Sequence, residues 1–129
     1  MYTVLFTDDT DTVRRLFCAA LRRAGYRVLE AEDGSEALLL ACRYPGPIHL
    51  LITDITMPRM GGLELRRAIT ACHPETSVLF ISGYSEDVLD GGDPFLQKPF
   101  TPIRLLATAA EILDDSHAQR TFASPISSM

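Results

Sequence analysis

The chain has 129 residues, 47% of them hydrophobic and 22% charged, with a formal net charge of -5. That is room for one domain with a real core and too little for two, and the acidic balance argues against direct nucleic-acid binding. No basic-then-apolar leader opens the chain and no apolar run approaches membrane-spanning length, so the expected location is the cytoplasm, without direct membrane contact.

Residues 2–7, Tyr-Thr-Val-Leu-Phe-Thr, read as a first strand ending on Asp8-Asp9. The period then changes: Val13, Leu16, Phe17, Ala20, Leu21 and Ala24 trace the apolar stripe of a helix. Thr10 or Asp11 can cap its start, and Gly25 supplies a left-handed stop. The pairs Arg14-Arg15 and Arg22-Arg23 are read as its solvated face. Residues 26–31 form a second strand. Residues 32–35 form a turn with a helix cap, 35–43 a short helix, and Pro45-Gly46-Pro47 closes it.

Residues 48–54, Ile-His-Leu-Leu-Ile-Thr-Asp, organise the rest. This nearly unbroken apolar run has the composition of a strand covered on both faces, and it ends on a carboxylate. Met57-Pro58-Arg59-Met60-Gly61-Gly62 is a turn into a helix over 62–72, stopped by His73-Pro74. Residues 77–82 make a fourth apolar strand ending on Ser82. Between Ser82 and Phe95 only a short helical stretch around 85–89 is expected, broken by Asp90-Gly91-Gly92-Asp93-Pro94. Phe95-Leu96-Gln97 is a short fifth strand ending on Lys98-Pro99, a bond open to the cis form. Thr101 caps a last helix with Pro102 at its first position, its inward face being Ile103, Leu106, Ala110 and Leu113. Residues 1–114 are expected to form the domain, and 115–129 a polar, disordered tail. Cys18, Cys42 and Cys72 each fall in a predicted helix, spaced for neither a zinc site nor a disulfide framework. They are read as small apolar core residues in a reducing compartment.

Strands alternating with helices call for a doubly wound α/β fold, a five-stranded parallel sheet with helices on both faces. Right-handed crossovers put every strand's carboxyl end on one rim, where such sheets place their ligands. Asp8, Asp9, Asp54, Ser82 and Lys98 should therefore converge. Taken singly, each has a commoner use: helix caps for the aspartates, a turn hydroxyl for Ser82, a surface amine for Lys98. Taken together they suggest phosphoryl chemistry. Three carboxylates near one point repel and raise one another's pKa unless a cation intervenes, and Mg²⁺ is the natural hard ion. Asp54 would be the nucleophile, with the metal and Lys98 neutralising phosphoryl oxygens and Ser82 donating a hydrogen bond.

These motifs resemble the response-regulator receiver domain of two-component signalling over residues 2–114: the acidic pair Asp8-Asp9, Asp-x-x-Met-Pro-x-Met-Gly-Gly from Asp54, Ser82 ending the fourth strand, and Lys98-Pro99-Phe100. The stretches around Ser82 and Lys98 are most similar to receivers at the ends of hybrid sensor histidine kinases. The resemblance implies a flavodoxin-like fold and a phosphorelay role. Asp54 would accept a phosphoryl group from the phosphohistidine of a kinase or phosphotransfer protein, in a reaction the domain itself promotes with Mg²⁺. Asp8, Asp9, Asp54 and the backbone carbonyl of Thr56 would hold the ion. Lys98 would pair with the phosphoryl group, Ser82 would move toward it, and Phe95 would swing inward behind Ser82 as a switch. The short segment between Ser82 and Phe95 implies a fourth helix shortened or missing, on a face many receivers use to dimerise, which leaves a homodimer open. Three other readings compete. A flavin module of this fold would need a phosphate-cradling loop where residues 7–11 place carboxylates. An aspartyl-nucleophile phosphatase would pair Asp54 with an acid two residues on, where Thr56 stands. A phosphorylation-independent interaction domain would keep the fold and not the chemistry.

Overall fold

The computed structural model describes residues 1–83 and 93–127, with side chains through residue 115. The elements run β1 (Thr3–Thr7), α1 (Asp11–Arg23), β2 (Arg27–Ala31), α2 (Gly34–Arg43), β3 (Leu50–Asp54), α3 (Gly62–Cys72), β4 (Ser77–Ser82), β5 (Phe95–Gln97) and α4 (Pro102–Ser127). The five strands form one sheet in the order β2-β1-β3-β4-β5, and every pairing is parallel.

Strand alternation divides the core into two layers. Val4, Phe6, Leu50, Ile52, Leu79 and Ile81 point to one face, against Phe17, Cys18 and Leu21 of α1 and Leu105, Ala109 and Leu113 of α4. Leu5, Leu51, Val78 and Phe80 point to the other, against Ala37 and Ala41 of α2 and Leu65 and Ile69 of α3. All residues of β1 and β3 are buried, as befits strands between two helical layers. Each large apolar side chain so enclosed contributes about 1.5–3 kcal/mol.

Local chemistry sets the helix ends. Asp33 caps α2, its Oδ1 accepting from Glu36 N at 2.8 Å, and Glu36 Oε1 reaches back to Glu32 N at 3.3 Å. Gly25 follows α1 with φ +100°, the left-handed stop that its position predicts. Thr101 Oγ1 accepts from Arg104 N at 3.1 Å, capping α4 ahead of Pro102. The Lys98–Pro99 peptide is cis.

Several expectations are corrected. The last helix does not end near residue 114 but continues to Ser127, because no glycine or proline interrupts residues 103–124. Residues 115–127 are therefore helical backbone rather than a disordered tail. Its inward face is Leu105, Ala109 and Leu113, whereas Ile103 is 80% exposed beside the helix start. On α1, Leu16 is exposed and Arg14 is buried, so the inward stripe is 14, 17, 18, 21. Cys18 is a core residue as expected, but Cys42 and Cys72 are exposed. The expected short helix around 85–89 falls within 84–92, outside the described residues.

Candidate functional site

The parallel sheet delivers the strand ends to one rim. Asp8 follows β1, Asp54 and Ser82 end β3 and β4, and Lys98 follows β5. Asp8 and Asp54 are buried, Asp9 is exposed, and one carboxylate oxygen from each lies within 4.8 Å of the others. Lys98 Nζ stands 2.9 Å from Asp54 Oδ1 and 3.4 Å from Asp8 Oδ2. A cavity of about 380 Å³ lies on the far side of β4 near Arg66, whereas the rim opens onto one of about 370 Å³ lined by Asp9, Asp54, Thr56, Ile81, Ser82, Gly83 and Lys98. The Lys98 N–H donates to the Ser82 carbonyl at 2.7 Å, which sets these two residues side by side.

The backbone is anchored on each side. Asp8 Oδ1 accepts from Thr10 N at 2.8 Å, closing the turn into α1. Arg14 reaches back from α1, donating from Nη1 to the Asp8 carbonyl at 2.8 Å and from Nη2 to Asp11 Oδ1 at 2.6 Å. Beyond Asp54, Arg59 takes a positive φ of 66°, turning the chain into α3. Gly62 N donates to the Ile55 carbonyl at 2.8 Å. A Cβ on Gly62 would overlap the Asp54 carbonyl oxygen. Only glycine lets α3 begin so close to the end of β3.

The electrostatics follow from burial. Asp54 is pushed up to about 7, first by burial, with Asp8 adding to the rise and Lys98 opposing it. Lys98 is held above its ordinary value: burial alone would lower it, but Asp54 and Asp8 outweigh that. Three carboxylates against one ammonium leave an excess of negative charge. An all-oxygen donor set with such an excess, open to solvent at Asp9, is what a hard divalent cation requires. The donors present fit Mg²⁺.

Asp8, Asp9, Asp54, Ser82 and Lys98 thus come together as the strand pattern predicts, and Thr56 lines the same cavity. Phe95 does not join them. It lies on β5 opposite Phe80, 37% exposed, rather than in the core. The sequence pattern puts Arg14 on a solvated face, whereas the structure buries it against the Asp8 turn. Extending the Leu21, Cys18 stripe back one turn would have found it.

The chain matches the family model described as the response regulator receiver domain over residues 4–110. It is 37% identical over 118 residues to the sensor kinase CckA of Brucella abortus, an alignment that covers 87% of this chain and 12% of that protein. It is 36% identical over 106 residues to the response regulator receiver protein CpdR of the same organism, covering 78% of this chain and 87% of CpdR. Among solved structures, the receiver domain of the hybrid histidine kinase CckA superposes with a TM-score of 0.77 at 39% identity, covering 86% of this chain and 98% of that one. The chain therefore spans about an eighth of the sensor kinase it matches and most of the length of CpdR.

Proposed function

The chain belongs to the response regulator receiver domain family of two-component signalling, and on that premise we propose that Asp54 is the side chain that takes up the phosphoryl group. The observation that carries the proposal is a buried carboxylate 2.9 Å from an ammonium, beside two further acids, on the rim of a solvent-open cavity. An Asp54 carboxylate oxygen attacks phosphorus, the new P–O bond forms as the P–N bond to a phosphohistidine breaks, and the departing imidazole nitrogen takes the electron pair. Lys98 is already paired with the attacking carboxylate and stays with the charge as it spreads onto phosphoryl oxygens. Ser82 borders the same cavity and donates to one of those oxygens. Asp8, Asp9, Asp54 and the Thr56 carbonyl would hold Mg²⁺, which when bound would supply positive charge to the transferring group. Phe95, half-exposed on the edge strand, responds by moving inward behind Ser82.

The donor is a histidine kinase or a histidine phosphotransfer domain, and the likeness to the CckA receiver favours the hybrid-kinase type. Residues 1–114 constitute the receiver unit and 115–129 lie outside it. No described helix is long and apolar enough to cross a membrane, and the domain works in the cytoplasm without itself contacting membrane or nucleic acid. A homodimer remains compatible with this reading.

The test is acetyl phosphate with and without Mg²⁺, read by intact mass. One added phosphoryl group is expected, only with Mg²⁺, and none in Asp54→Ala. Uptake that persists in Asp54→Ala places the acceptor elsewhere and defeats the proposal.

A further inference from the structure

On the edge of the sheet opposite the carboxylate cluster, α2 and α3 end side by side. Cys42 is the next-to-last residue of α2 and Cys72 the last of α3. They are 30 positions apart in sequence, yet their Sγ atoms stand 3.1 Å apart, and both are exposed. A disulfide lies about 1 Å of approach away. The pairing is built rather than incidental. The His73 Nε2–H donates to the Ala41 carbonyl at 2.7 Å, clipping the residue after Cys72 to the residue before Cys42. Ala37 and Ala41, buried against Leu65 and Ile69, let the two helices lie close.

We propose that Cys42 and Cys72 form a reversible disulfide that staples α2 to α3, with a low-molecular-weight disulfide such as oxidised glutathione as the oxidant. The thiolate of one cysteine attacks a sulfur of the external disulfide, giving a mixed disulfide and releasing one thiolate. The second cysteine's thiolate then attacks the protein sulfur of that mixed disulfide, closing the Cys42–Cys72 bond and releasing the second thiolate. The protein loses two electrons and two protons, and the external disulfide gains them as two thiols. Proximity drives the second step. The hydrogen bond to Cys72 holds the Cys42 thiol above its ordinary value, so Cys42 is not primed like a catalytic cysteine. Cys18, buried in the core, serves as an inert internal reference. The closed loop would contain β3 and all of α3, and with them Asp54, so oxidation restrains the unfolding of that segment. This inference is independent of whether Asp54 accepts phosphate.

The experiment equilibrates the purified full chain in glutathione redox buffers, quenches with acid, alkylates under denaturing conditions and measures intact mass and peptide map. The expected product is a monomer two hydrogens lighter, with one alkylated cysteine instead of three and a peptide joining residues 42 and 72. Its thermal midpoint should lie at least about 5 °C above that of the reduced form. Cys42→Ser and Cys72→Ser should each lose the closed species and accumulate a glutathione adduct on the remaining thiol. A wild-type protein that stops at glutathione adducts, forms only intermolecular dimers, or closes without a rise in thermal midpoint overturns the proposal.

Discussion

The two rims of the sheet are built from the same five strands and have opposite characters. At the amino ends, polar groups answer one another. Thr3 N donates to His49 Nδ1 at 2.9 Å, Thr76 Oγ1 to the Ile48 carbonyl at 2.7 Å, and His73 Nε2 to the Ala41 carbonyl at 2.7 Å. At the carboxyl ends, Asp8 and Asp54 are buried, and Lys98 is shared between them. One rim satisfies its polar groups at short range, mostly with backbone carbonyls and with the Glu75 carboxylate 3.2 Å from His73 Nδ1. The other holds charge in excess of its counter-charge, and there burial first, with Asp8 adding to it, raises Asp54 to about 7. Buried charge kept so poorly compensated is a feature of sites that bind or react, and here the two ends of each strand divide structure from chemistry.

The comparison can be broken most severely at Gly62. Gly62→Val should cost about 3 kcal/mol or more of stability in urea unfolding, because any side chain there displaces the end of β3. Next in size is Asp54→Asn. The folded value of Asp54 lies above its ordinary 3.8, so the native state binds that proton more tightly than the unfolded chain does. Its contribution is fully present below about pH 4 and lost as pH rises to about 7. Without divalent cations, Asp54→Asn should therefore stabilise the fold by about 1–3 kcal/mol at pH 8 and by almost nothing at pH 4. A gain that does not vary with pH would mean that the rim does not hold Asp54 above its ordinary value. Arg14→Met should lose about 1–2 kcal/mol by leaving the buried Asp8 carbonyl without its donor. Lys98→Ala should change stability by only about 1 kcal/mol, since the amine is one-third exposed. Phosphoryl uptake from acetyl phosphate should nevertheless slow by about 10-fold or more. On the opposite rim, Thr76→Val should cost about 1 kcal/mol and leave uptake unchanged. If uptake falls there too, the division between the rims fails.

The sheet and the rim were legible because two periods coexist in this chain. Runs such as residues 50–54 and 77–82 read as strands enclosed on both faces, and each ends on a polar side chain. Once the crossovers are right-handed, the meeting of Asp8, Asp54, Ser82 and Lys98 follows without further information. What escaped depended on contacts between elements. Arg14 belongs by composition to a wet face, and its contacts with the Asp8 carbonyl, Asp11 and Glu30 explain its burial. Cys42 and Cys72 look like small core residues until α2 and α3 are laid side by side. Phe95, expected as an inward-swinging switch, lies partly exposed on a three-residue edge strand. The extent of α4 escapes the sequence because polar residues after Asp114 suggest a tail, although no glycine or proline occurs there before Pro125.

Between α3 and β3 there is, at one point, no cladding at all. Most neighbours in this molecule meet through side chains, which can rotate and absorb a displacement of an ångström. At Gly62 the helix rests directly on the carbonyl of Asp54. A helix of eleven residues is a stiff rod about 16 Å long. Its first turn cannot move toward the sheet without carrying the Asp54 peptide along. Repairs elsewhere in the interior can be made by swapping rotamers, but here skeleton bears on skeleton and no rotamer is available to yield.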